Sequence, residues 1–221
     1  MELTNPAQIE RESMAIIARE LRARGVALPE ENAPLVMRVI HTTADFDFAA
    51  NLRITADALR LGQAALHGGT IVTDSNMALA GISKPALQKL GCTARCFMAE
   101  PFVAEAARQR GCTRALVSMD HAAALFPNAV NAVGNAPTAL LRLTEHIERG
   151  LRPALVIGVP VGFVNVVESK ERALAVCEAC GVPAVVALGR KGGSTVAAAI
   201  CNALLYQAAE MTDPEARGAS C

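Results

Sequence analysis

The spacing of apolar residues divides this chain into two regimes. Up to about residue 69 the apolar positions recur at helical spacing. Asn5-Pro6 opens a helix in which Ile9, Ile16, Ile17 and Leu21 make one side, ending near Gly25. Leu35, Val36, Val39 and Ile40 form a second stripe over residues 34–41, and a third helix runs from Thr55, its cap, to the stop at Gly68-Gly69. Beyond that point short β-branched runs alternate with helical ones. The expected pairs are strand 70–72 with helix 78–90, strand 92–98 with helix 103–110, and strand 130–133 with helix 138–149. Strand 154–159 with helix 170–180 and strand 184–188 with helix 195–208 complete the series. Strands separated by helices of this length pair in parallel through right-handed crossovers. The pattern therefore predicts a three-layer α/β sandwich, a mostly parallel sheet of about five strands with helices on both faces. It forms one domain over residues 1–212, followed by a frayed tail over 213–221.

Composition agrees with a packed domain: 52% of the 221 residues are hydrophobic and 19% charged. Lysine plus arginine equals aspartate plus glutamate at 21 each, so no overall field favours nucleic acid or an anionic membrane, and any anion site has to be local. Residues 1–24 carry Glu and Arg throughout, unlike a secretory signal or anchor. The longest apolar run, 153–167, is interrupted by Gly, Pro and Asn and falls short of the roughly 20 residues that span a bilayer. Seven cysteines, an odd number scattered through apolar segments, read as reduced thiols and point to the cytoplasm.

Three glycine-bearing turns, each between an apolar run and a helix, lie where α/β proteins hold their ligands. They are Gly134-Asn135-Ala136-Pro137-Thr138, Val159-Pro160-Val161-Gly162-Phe163 and Gly189-Arg190-Lys191-Gly192-Gly193-Ser194-Thr195. None matches a nucleotide fingerprint: Gly-x-Gly-x-x-Gly is missing, and the lysine of the third turn precedes its glycines, unlike a phosphate loop. Gly192, Gly193 and Ser194 let backbone approach a ligand, with unpaired amides at a helix start and Arg190 and Lys191 alongside, an arrangement suited to carboxylate or phosphate. Asn135 is either a ligand contact or part of a tight connection, and Glu168-Ser169-Lys170 is either a site element or a charged first turn. Arg38 and His41, three residues apart, share a helix face opposite the apolar stripe, which is either solvated or turned to a ligand. The helix C-terminus there favours the imidazolium. His67 and His146 read as structural or solvated, His121 as a weaker binding candidate. Cys177-x-x-Cys180, without further ligands nearby, reads as core thiols, and Asp45 with Asp47 as a surface turn.

Taken in order, Arg38-Val39-Ile40-His41, Gly134-Asn135-Ala136-Pro137-Thr138-Ala139-Leu140, Gly158-Val159-Pro160-Val161-Gly162-Phe163-Val164, Glu168-Ser169-Lys170 and Gly192-Gly193-Ser194 resemble the precorrin-8X methylmutase family, including its cobalt-precorrin-8 members. The resemblance runs from Arg11 to Ser194. It implies an isomerase of cobalamin biosynthesis that moves a methyl group from carbon 11 to carbon 12 of a contracted tetrapyrrole and uses no cofactor. It also implies a homodimer and an anionic corrinoid as substrate and product. By similarity His41 is the general acid and Ser13 a hydrogen-bonding contact. Arg38, Arg114, Arg190, Gly134, Asn135 and the Gly192-Gly193-Ser194 helix start are then candidates for the substrate's acetates and propionates. Residues 42–48 and 112–127 depart from the family pattern, which weakens the case for Arg114. Two other readings use the same residues: a non-catalytic tetrapyrrole carrier, which needs no acid at His41, and an α/β domain binding a phosphate ligand at Gly192-Gly193-Ser194.

Overall fold

The computed structural model describes residues 5–217. In chain order its elements are Pro6–Ala23 (α1), Ala33–Thr43 (α2), Phe48–Asn51 (α3), Leu52–Ile54 (β1), Ala58–Ala65 (α4), Thr70–Thr73 (β2), Asn76–Gly81 (α5), Lys84–Leu90 (α6) and Thr93–Arg95 (β3). Pro101–Arg110 (α7), Arg114–Leu125 (α8), Val130–Val133 (β4), Pro137–Glu148 (α9), Leu155–Gly158 (β5), Val166–Cys180 (α10), Ala184–Ala187 (β6) and Ser194–Ala208 (α11) follow, with a short 3-10 turn at Pro214–Arg217. The strands make one sheet in the order β1-β6-β5-β4-β2-β3, parallel except for β1, which runs antiparallel to β6.

Alternation along the strands builds the three layers. Leu155, Ile157, Val185 and Ala187 face α1, α2, α4 and α11, while Val156, Ala184 and Val186 face α9 and α10. β4, β5 and β6 are buried at every position, as expected of central parallel strands covered on both sides. α11 lies under the sheet on the first face, with Val196, Ala197, Ile200, Cys201, Leu204 and Leu205 all buried. Close approach is enforced at Gly81, where a Cβ would stand 2.8 Å from the Ala198 methyl.

The expected architecture is present, with five local corrections. The helix expected over 78–90 is two helices. Pro85 sits in the first turn of α6 and cannot extend the preceding helix, and Asn202 of α11 fills the break by accepting from Ser83 N and donating to the Gly81 carbonyl. Thr55 does not cap the third helix. Its hydroxyl accepts from the Ala184 amide at 2.9 Å, tying the end of β1 to β6, and Asp57 precedes α4 instead. The sheet has a sixth strand, β1, too short for its period to register. α8 lies in the stretch 112–127 left without an element, although Thr113 caps it by accepting from Leu116 N. Finally, the tail does not fray from Asp213. Arg11 bonds Asp213 and Glu215 at 2.8 Å, Arg217 bonds Glu10 at 2.6 Å, and Pro214 is buried; residues 218–221 lie outside the described part of the chain.

The order of strands reverses at β2 and β4, and there the backbone is held by one buried carboxylate. Asp74, 1% exposed, accepts from the amides of Gly134, Asn135 and Ala136 at 2.8, 2.9 and 2.6 Å. Burial raises its pKa despite the three amides, which lower it. Asp74→Ala would leave three amides of the β4–α9 turn unsatisfied, a loss of about 3 kcal/mol at the lower end of the ordinary cost per group. Asp74→Asn, retaining one acceptor but setting an NH2 against an amide donor, should recover only part of it. Urea denaturation midpoints of the two variants check this ranking.

Candidate active site

The C-terminal ends of the central strands converge on a small area because their turns are bonded to one another. Gly193 N donates to the Val159 carbonyl at 2.8 Å, joining the β6–α11 turn to the β5–α10 turn. Gly192 lies against the same carbonyl so closely that any Cβ would collide with it. Gly134, at the end of β4, has the Gly193 carbonyl and the Ser194 Cα within 2.9 Å of where its Cβ would be, so only glycine allows the β4 and β6 turns to meet. Ser194 Oγ reaches Ser75 Oγ, in the turn after β2, at 2.7 Å. Gly134, Asn135, Gly192, Gly193 and Ser194 are thus brought together at the sheet's reversal point, the place where open α/β sheets take ligands.

Their individual roles differ from the sequence expectation in two respects. The Gly193 amide is spent on Val159, so a ligand would find the amides of Ser194 and Thr195, which begin α11 and have no backbone acceptor among the described residues. Gly193 serves through its conformation, φ 132°, open to glycine and strained for other residues. Lys191 is also committed: its Nζ donates to Asp45 and Asp47, both at 2.6 Å, and these partners raise its pKa. The two aspartates read as a surface turn are therefore a clamp between the segment after α2 and the β6–α11 turn. Arg190 remains exposed, its guanidinium 5.5 Å from the centroid of the Phe163 ring, which is itself 84% exposed in the neighbouring turn.

That clamp brings α2 to the same end of the molecule. His41, on the last turn of α2, is exposed, four residues before Asp45. Arg38 and Thr42 from α2 join Thr195, Ala198, Ala199, Met77 and Tyr206 around a depression of about 270 Å³. Arg38 also borders a larger cleft of about 660 Å³ between α1, α2, α11 and the 3-10 turn, floored by Met14, Met37, Ala203 and Tyr206. His41 lines neither. The imidazolium expected from the helix terminus is not favoured: partial desolvation and the Arg38 guanidinium hold the His41 pKa below its ordinary value, against an opposite pull from Glu10.

Arg38 has a carboxylate partner of its own. Glu10 accepts from Arg38 and from Arg217 at 2.6 Å each, and both guanidiniums lie over the Tyr206 ring, at 5.5 and 4.3 Å from its centroid. Burial raises the Glu10 carboxyl, but the two arginines together hold it below the usual range. Ser13 lies one turn along α1 from Glu10, its hydroxyl donating to the Ile9 carbonyl at 2.8 Å. Arg114 begins α8 beside Thr113, whose hydroxyl donates to Thr138 at the start of α9, so it lies by the β4–α9 turn. His121 packs between Phe97 and Phe102, and His146 bonds Asp120.

Sequence reasoning missed Asp74, Glu10 and the part played by Lys170. Glu10 carries no signal, since its partners lie 28 and 207 residues away. Asp74 ends the apolar run of β2, where a charge invites the question of what neutralises it. Lys170 stands in Glu168-Ser169-Lys170, which the sequence leaves open between a site element and a charged first turn, and the side chain is 0% exposed.

Comparison with known proteins places nearly the whole chain in one family. The family description for precorrin-8X methylmutase matches residues 8–207. A cobalt-precorrin-8 methylmutase of Salmonella typhimurium is 46% identical over 94% of this chain and 98% of its own length. A precorrin-8X methylmutase of Pseudomonas aeruginosa is 39% identical over 89% of this chain and 93% of its own. The crystal structure of precorrin-8X methylmutase from Thermus thermophilus superposes with a TM-score of 0.81 at 40% identity, covering 91% of this chain and 98% of that one. A match of this extent in both sequence and fold leaves one assignment: the chain belongs to the precorrin-8X methylmutase family.

Proposed function

We propose that this enzyme, an isomerase of cobalamin biosynthesis by its family, moves the methyl group of precorrin-8X or cobalt-precorrin-8 from carbon 11 to carbon 12 with His41 as general acid. The supporting observation is the Lys191 clamp to Asp45 and Asp47, which ties the segment beginning four residues after His41 to the β6–α11 turn. The imidazolium protonates the macrocycle, the methyl migrates with its bonding pair, and loss of the added proton leaves an isomer of the starting material. A placed acid contributes about 10²–10⁴-fold, and rigid placement of the macrocycle supplies much of the rest. A carrier would have no use for an acid, and a phosphate ligand would have no use for the exposed apolar rim of Val161, Phe163 and Val164.

The substrate's carboxylates would meet Arg190, Arg38, Arg114, the Ser194 amide and Asn135, with Ser13 as a further contact. Carboxylates arriving beside Arg38 would raise the His41 pKa, opposing the depression that desolvation and Arg38 cause. The same rim, with Phe163 84% and Val164 77% exposed, supports a homodimer. The face of Leu140, Leu141 and Leu143 does not, because Leu140 and Leu143 are core residues packed under β4 and β5. A cytoplasmic setting rests on the scattered thiols of the sequence, and no described helix is long and apolar enough to cross a membrane.

Replacing His41 by Asn or Ala should abolish rearrangement while the product still binds as a coloured complex; normal turnover by either variant removes the acid role. A proton balance follows from the pKa argument. Binding hydrogenobyrinate near pH 7 should take up a proton in the wild type and none in His41→Asn, read by calorimetry in buffers of different ionisation enthalpy. Light scattering should show a dimer that Phe163→Ser with Val164→Ser weakens at least tenfold.

A further inference from the structure

One buried cation takes no part in the chemistry above. Lys170, on the second turn of α10, is 0% exposed and its Nζ donates to the carbonyls of Gly189 and Lys191 at 2.8 Å each. These carbonyls flank Arg190 on both sides. The ammonium has no carboxylate partner among the described residues, and burial alone brings its pKa down to about 8, so it is still a cation at pH 7. Burying an unpaired charge costs several kcal/mol that an apolar residue of the same length would not.

Two features of the turn give that charge a use. The only other cations on it are Arg190, exposed, and Lys191, which two aspartates outweigh. The turn also needs support from beneath, because its backbone is pressed against Val159 at Gly192 and Gly193 and against Gly134 at Gly193 and Ser194. Two carbonyls pulled inward onto one ammonium direct Arg190 and the first amides of α11 outward.

We propose that Lys170 is a positioning residue for substrate binding, holding the Gly189–Lys191 backbone so that Arg190 and the Ser194 amide present one anion-binding surface to a corrinoid carboxylate. This rests on the reading that the β6–α11 turn contacts the substrate. The residue acts through the turn and touches no reacting atom, so its removal changes affinity and leaves the rearrangement of bound substrate nearly intact.

Lys170→Met, similar in length and without a donor, tests this when titrated with hydrogenobyrinate by visible absorption and assayed in single turnover at saturating substrate, with thermal melts as the control for folding. Expected are a Kd raised at least tenfold and a saturated rate within threefold of wild type, with Lys170→Gln, which keeps one donor, between the two. Folded Lys170→Met that binds as tightly as wild type, or that loses rate at saturation with Kd unchanged, overturns the proposal. Should Lys170→Met not fold, the Gln variant is judged by the same two numbers. Arg190→Gln is run alongside. If it weakens binding and Lys170→Met does not, the site stands and the positioning role falls; if Arg190→Gln binds normally, the turn itself is not the carboxylate site.

Discussion

Buried ionisable groups without an ionic partner are costly, and this fold places two of them, Asp74 and Lys170, directly behind the turns that carry its candidate site. Each satisfies backbone: Asp74 takes three amides of the β4–α9 turn, and Lys170 takes two carbonyls of the β6–α11 turn. Between them Gly134 and Gly192 allow contacts that a Cβ would prevent, and Gly193 takes a φ of 132° that strains other residues. The result is a set of loops with the rigidity of a core, which suits an enzyme whose substrate is a large ring to be held in one geometry.

The family assignment gains physical content from what surrounds these turns. The clamp from Lys191 to Asp45 and Asp47 ties the segment beginning four residues after His41 to the β6–α11 turn, while Glu10 holds Arg38 and Arg217 in reserve around Tyr206. Burial and Arg38 hold the His41 pKa down, an effect that neighbouring carboxylates would oppose.

Much of this was legible in the sequence, for identifiable reasons. Buried parallel strands write continuous apolar runs, so β4, β5 and β6 are legible nearly to the residue, and the glycine-bearing turns after them are the ones that meet at the sheet's reversal point. β1 escaped because three residues carry no period, and α8 because half of its apolar positions are alanine, a weak marker of a buried stripe. The break at Gly81 was written in Pro85, one turn too late to be noticed without Asn202 from α11. The electrostatics were the least legible part. That Lys191 is paired and that Lys170 is buried could not be read along the chain, because both facts depend on residues that only the fold brings close.

The account stands or falls on where the macrocycle lies, since two hollows border Arg38 and only one of them adjoins the strand-end turns. A crystal structure with bound hydrogenobyrinate decides it. The account predicts an imidazole nitrogen of His41 within hydrogen-bonding reach of the ring, at about 3 Å, and a peripheral carboxylate on Arg190 and the Ser194 amide. A pigment seated in the cleft between α1, α2 and the 3-10 turn, out of reach of His41 and of the Gly192-Gly193-Ser194 turn, would contradict it.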